Sequence, residues 1–111
     1  MLSNIERVEK AICDFQQGKM VILVDDLERE NEGDLILPAE CITSEKMNFM
    51  IRQGTGIVCL SLTKEKISSL NLPLMLPPQL NTSYRETPFT VSIDAKNDIT
   101  TGVFAPPQGV A

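Results

Sequence analysis

Ten consecutive residues, Asp25-Asp26-Leu27-Glu28-Arg29-Glu30-Asn31-Glu32-Gly33-Asp34, carry six carboxylates and one arginine. Acids this dense repel one another unless a cation compensates them. A hard divalent metal is the natural candidate. Magnesium takes one or two carboxylates, keeps several waters and completes its shell with substrate oxygens. If the loop is extended near Glu30, then Glu30, Glu32 and Asp34 project to one face, and Arg29, Asn31 and Gly33 to the other. Arg29 could then hold an anionic or hydroxyl-rich substrate through its planar fork of donors. Gly33 would let the backbone turn or come close to a ligand. A plainer alternative stays open, a solvated acidic turn between two strands. A calcium loop of the helix-loop-helix kind fits poorly. Its sixth position counted from Asp26 is Asn31, where glycine is required.

The elements that must position these residues are legible on both sides. Met20-Val21-Ile22-Leu23-Val24 and Leu35-Ile36-Leu37 are uninterrupted apolar runs of the kind buried strands carry, so the acidic segment is a surface loop anchored at both ends. The first strand spans Lys19 to Val24, and Pro38 ends the second. Upstream, Ser3-Asn4-Ile5-Glu6 reads as a capping box for a helix whose Ile5, Val8, Ile12 and Phe15 form a core-facing stripe, stopped by Gly18. Thr43 or Ser44 caps a second helix with Met47, Met50 and Ile51 on its apolar face and Gly54 after its close. Ile57-Val58-Cys59-Leu60 reads as a buried strand. Thr63 caps a short third helix through Leu70, and the three prolines between Leu72 and Pro78 make a loop or extended connection. Phe89 to Asp94 alternates strictly, which predicts a strand with Phe89, Val91 and Ile93 inward. Asn97-Asp98 reads as a turn, with another strand starting within Ile99 to Val103. Helices alternating with strands indicate an α/β or α+β sandwich, a mixed sheet flanked by helices.

At 111 residues the chain suits a single domain, 1–111. Its net charge of −5 equals that of the acidic loop alone, leaving nine acids and nine bases elsewhere. Acidity is therefore local, and the basic footprint that nucleic-acid binding needs is missing. Cys13, Cys41 and Cys59 are odd in number and widely spaced, and there is no histidine, so no Cys/His zinc site can be assembled. Reduced thiols, no signal-peptide core and no membrane-length apolar run together predict a soluble cytoplasmic protein with no membrane partner.

The order of residues from Val24 to Leu35 resembles the acidic loop of the 3,4-dihydroxy-2-butanone 4-phosphate synthases, which make the four-carbon precursor of riboflavin. The resemblance continues through Pro38-Ala39-Glu40, Asn48-Phe49-Met50, Gly54-Thr55-Gly56-Ile57-Val58-Cys59, Leu72-Pro73, Phe89 to Ala95 and Thr100-Thr101-Gly102-Val103. It covers about residues 20–103 and implies the N-terminal half of that fold. It also implies a magnesium-dependent lyase, with manganese as a possible substitute, that converts ribulose 5-phosphate to the butanone phosphate and formate. By this resemblance Glu30 is the metal ligand, while Arg29 and Asp34 contact the sugar phosphate. Glu32, Asp34 and Cys59 fall at catalytic positions, Thr101 at a substrate-binding one, and Asp25 and Asp26 orient the loop.

The departures from the pattern are specific. Family members run to about twice this length, and their second half supplies an Arg-x-Gly-His-Thr segment, a further histidine and a glutamate. Gln53 stands where many members have histidine, and Arg85-Glu86-Thr87-Pro88 replaces a glycine-richer approach to Phe89. The family's homodimers place their sites at the subunit interface, which implies a homo-oligomer. Three readings follow: a synthase whose missing groups come from another polypeptide, a non-catalytic binder of metal or sugar phosphate, and a structural remnant with a solvated loop.

Overall fold

The first helix, α1 (Asn4–Gln16), begins where the sequence says it must, because its entry satisfies its own free amides. The Ser3 hydroxyl accepts from the Glu6 amide at 3.2 Å, and the Glu6 carboxylate accepts from the Ser3 amide at 2.7 Å. Gly18, at φ +76°, turns the chain out of the helix. There an added Cβ would stand 3.1 Å from the Cys41 sulfur. These relations come from a computed structural model, which describes residues 1–82 and 87–97.

Two strands follow, β1 (Val21–Val24) and β2 (Gly33–Ile36), paired antiparallel with Val21 opposite Ile36 and Val24 opposite Gly33. Cross-strand partners share a face, so Val21, Leu23, Asp34 and Ile36 lie on one side, and Ile22, Val24, Gly33 and Leu35 on the other. A 3-10 turn, Ala39–Cys41, leads to α2 (Ser44–Phe49), whose Thr43 cap accepts from the Lys46 amide at 3.1 Å. A π-helical turn, Met50–Gly54, continues α2 and brings Gly54 against Leu35 of β2. Lys46 ties the two ends of this region together. Its ammonium donates to the carbonyls of Cys41, at 3.1 Å, and Gly18, at 3.3 Å.

These elements belong to a unit that includes Met1–Cys59, and a second unit spans Leu60–Thr101. In the second, Thr63 caps α3 (Lys64–Ser69) by accepting from the Lys66 amide. Leu74 and Thr90 form an isolated antiparallel bridge, supported by Met75 N–H to Phe89 and Val91 N–H to Pro73. A cavity of about 130 Å³ is lined by Leu74, Met75, Leu76, Pro78 and Phe89, among others, and none of the candidate site residues lines it.

The class is a mixed α/β fold with a small antiparallel sheet flanked by helices. Four local expectations are corrected. Ile57 to Leu60 is irregular and exposed, and Phe89 to Asp94 contributes only the bridge at Thr90. A strand forms only against a partner, and among the described residues neither segment has a continuous one. The α1 stripe is not core. Ile5, Val8 and Ile12 are exposed, and among the described residues none is fully buried. Finally, residues 27–30 form turns instead of extended chain. The turn and strand expected within residues 97–103 fall largely outside the described residues.

Candidate active site

The acidic loop, Asp25–Glu32, spans the hairpin between Val24 and Gly33, and one side chain organises it. Asp25 directly follows β1 and makes four hydrogen bonds within the loop: its Oδ1 accepts from the Glu32 amide at 2.8 Å, its Oδ2 accepts from the Glu30 amide at 3.0 Å and the Arg29 guanidinium at 2.9 Å, and its own N–H donates to the Glu32 carbonyl at 3.4 Å. Asp26 adds the turn beneath, its carbonyl accepting from the amides of Arg29, at 3.0 Å, and Asn31, at 3.2 Å. Asn31 takes a φ of +51°, a left-handed conformation that asparagine tolerates better than most residues.

An aspartate side chain that accepts nearby amides competes with strand pairing for them. This is why the chain turns at Glu30, and why the regular alternation expected for Glu30, Glu32 and Asp34 does not run through the loop. The Glu32 amide foremost, helped by the Glu30 amide and Arg29, holds the Asp25 carboxyl below its ordinary range, although desolvation opposes it more than either of those two helps. The Arg29 guanidinium also lies 3.8 Å from the Glu30 carboxylate. Arg29 is thus the cation that the chain itself supplies to its acids.

The site residues read from the sequence fall into three groups. Arg29, Glu30 and Glu32 are gathered on Asp25, two through their backbone and one through its side chain. Asp34 stands in β2 opposite Leu23, two residues beyond the loop. Cys59 is an exposed free thiol in an irregular segment, and Thr101 lies outside the described residues. Asp25 is the residue whose importance the sequence understated. Its position directly after an apolar strand, with glycine closing the loop, is the signal that could have raised it.

The exposed carboxylates of Glu30, Glu32 and Asp34 are hard oxygen donors of the kind magnesium prefers. Among the described residues, no three Asp, Glu, Cys or His side chains converge as a ligand cluster. Magnesium needs only one or two carboxylates beside water and substrate, so Glu30 suits it as a lone protein ligand on this segment.

A family model described as 3,4-dihydroxy-2-butanone 4-phosphate synthase matches residues 9–107. The synthase of that name from Syntrophotalea carbinolica is 54% identical over 101 residues, covering 91% of this chain and 46% of the relative. A probable bifunctional riboflavin biosynthesis protein of rice, chloroplastic, is 54% identical over 98 residues, covering 88% of this chain and 18% of the relative. Among solved structures, a 3,4-dihydroxy-2-butanone 4-phosphate synthase in complex with two magnesium ions overlays with a TM-score of 0.81 at 42% identity. That overlay covers 88% of this chain and 45% of the other. The chain therefore spans less than half the length of these relatives.

Proposed function

The chain belongs to the 3,4-dihydroxy-2-butanone 4-phosphate synthase family, and from that premise we propose that it supplies the acidic-loop part of a magnesium-dependent site converting ribulose 5-phosphate to 3,4-dihydroxy-2-butanone 4-phosphate and formate. The observation that carries this reading is the Asp25-centred loop, which presents Arg29, Glu30 and Glu32 from one braced turn. The five-carbon sugar phosphate divides into the four-carbon ketone phosphate and one-carbon formate, so its atoms are conserved without an external oxidant. Magnesium, when bound, polarises a sugar oxygen as a Lewis acid.

This chain's residues take the remaining roles on the loop. Glu30 holds the metal. Arg29, about half exposed, reaches the sugar phosphate with the donors not engaged by Asp25. Glu32 and Asp34 accept or return protons beside the carbonyl, and Cys59 takes the family's active-site cysteine role. Thr101 contributes to substrate binding. The assembly is a homo-oligomer, and the three free thiols suit the reducing cytoplasm.

Ribulose 5-phosphate followed by phosphorus NMR tests the site directly. Magnesium-dependent binding, abolished in Glu30→Ala, is the expected result, and binding indifferent to both metal and Glu30 would sink the proposal. A second reading is binding without turnover, on a loop whose Arg29, Glu30 and Glu32 are braced on Asp25 while Cys59 is an exposed thiol in an irregular segment. Formate release separates the two, because only a complete site yields it.

A further inference from the structure

Between α2 and the irregular segment that carries Cys59, the backbone departs twice from ordinary geometry. Met50–Gly54 is a π-helical turn, a rare form that recurs at functional sites. Thr55 then stands at φ +56° and ψ −166°, and Gly56 at φ +70°. The Thr55 conformation is close to reserved for glycine, and a β-branched residue holds it only where its surroundings impose it. Gly54 supplies part of that constraint, since a Cβ there would meet Leu35 of β2 at 3.2 Å. The Thr55 side chain contributes nothing in return within the chain. It is exposed, and neither its hydroxyl nor the Gly56 amide makes a hydrogen bond among the described residues. Gly56 is open as well, with no atom beyond its chain neighbours within 4 Å of the place a Cβ would take. The local charge is positive. From Lys46 to Lys64 there are three cations and no acid, in a chain of net charge −5.

We propose that Thr55 and Gly56 form a small oxyanion subsite, in which the Thr55 hydroxyl and the Gly56 amide donate to the oxygens of a phosphate group. Adjacent residues then offer one side-chain and one backbone donor, and glycine lets the ligand come close to the chain. Glycine at position 55 would relieve the strain but would have no hydroxyl to donate, which gives the strained threonine a purpose. The surrounding cations favour an anion over a neutral hydroxyl compound. Free phosphate and a sugar phosphate present the same oxygens to such donors. The donors differ from those of the acidic loop and need no metal, so the subsite stands or falls apart from magnesium-dependent binding at Glu30.

The test is a metal-free titration of the full 111-residue chain, labelled with nitrogen-15, first with inorganic phosphate and then with ribulose 5-phosphate. The expected result is a saturable shift of the Gly56 amide in both. A tighter response to ribulose 5-phosphate assigns the subsite to the sugar phosphate, and equal responses assign it to phosphate itself. Thr55→Val keeps the branched side chain and loses the hydroxyl, and it should weaken phosphate at least about tenfold, the size of one hydrogen bond to a charged group. Thr55→Ser should retain the affinity. Thr55→Gly should bind as weakly as Thr55→Val yet unfold at higher urea, because the strain is gone. A Gly56 amide that does not respond to either probe would overturn the proposal. Equal phosphate affinity in Thr55→Val and the natural chain would do the same, and so would a Thr55→Gly chain that is no more stable.

Discussion

The hairpin carries two regions built on opposite terms. At its tip, every contact that shapes the acidic loop closes within seven residues, from Asp25 to Glu32. Along its strands, Val21, Leu35 and Ile36 are only half-buried, and Ile22, Leu23 and Val24 stay exposed. Hydrogen bonds to a charged acceptor can be completed locally, whereas apolar burial needs partners brought from far along the chain. Arg29, Glu30 and Glu32 are therefore arranged by a short segment, and the strands beneath them depend on surface that this segment does not provide.

Substitutions that load one region and spare the other sharpen this contrast. The largest effect is expected from Asp25→Asn, which keeps the size of the side chain but removes its charge and one acceptor. Loss of such a supporting group typically lowers metal affinity roughly 10–100-fold. Magnesium-dependent binding of ribulose 5-phosphate should fall by that order, while the α1 helical signal is unchanged. A simultaneous loss of helix would break the separation of the two regions.

Gly18→Ala loads the scaffold instead. It places a side chain at φ +76° and within 3.1 Å of the Cys41 sulfur, and the left-handed conformation alone costs roughly 1–2 kcal/mol. A lower midpoint in denaturant is expected, with the Glu30 and Glu32 amide shifts preserved in the folded protein. Thr43→Ala removes the cap of α2 at a cost of about 1 kcal/mol, read in the same titration.

The smallest change is local to the loop. Asp25 titrates below the ordinary aspartate value of about 3.9. Its stabilising contribution is complete above that value and is lost as pH falls through its lowered folded value. The Glu30 and Glu32 amides should shift together over that acid range. Independent titration of the two would show that Asp25 does not hold them as one unit.

What the sequence disclosed follows the same division. The Ser3–Glu6 box and the Thr43 and Thr63 caps were legible because each is a bond between residues three apart. The acidic loop was legible as a connection between two apolar strands, and the order of its residues carried the family resemblance. Its internal geometry was not, because alternation predicts where strand residues point and Asp25 diverts the backbone from that pattern. Ile57–Leu60 and Phe89–Asp94 have strand composition, yet composition measures fit to a sheet surface and does not supply the neighbouring strand. The α1 stripe was read as core from its helical spacing, but spacing shows only that a face is apolar, and Ile5, Val8 and Ile12 are exposed.

The span of the Asp25 contacts also bears on time. Hairpins form in about 1–10 μs, whereas synthesis adds roughly 5–20 residues per second. The segment from Val21 to Ile36 can thus sample its register many thousands of times between successive additions at the ribosome. Its local contacts need no residue beyond Ile36, so later segments meet a tip that has already sampled its shape.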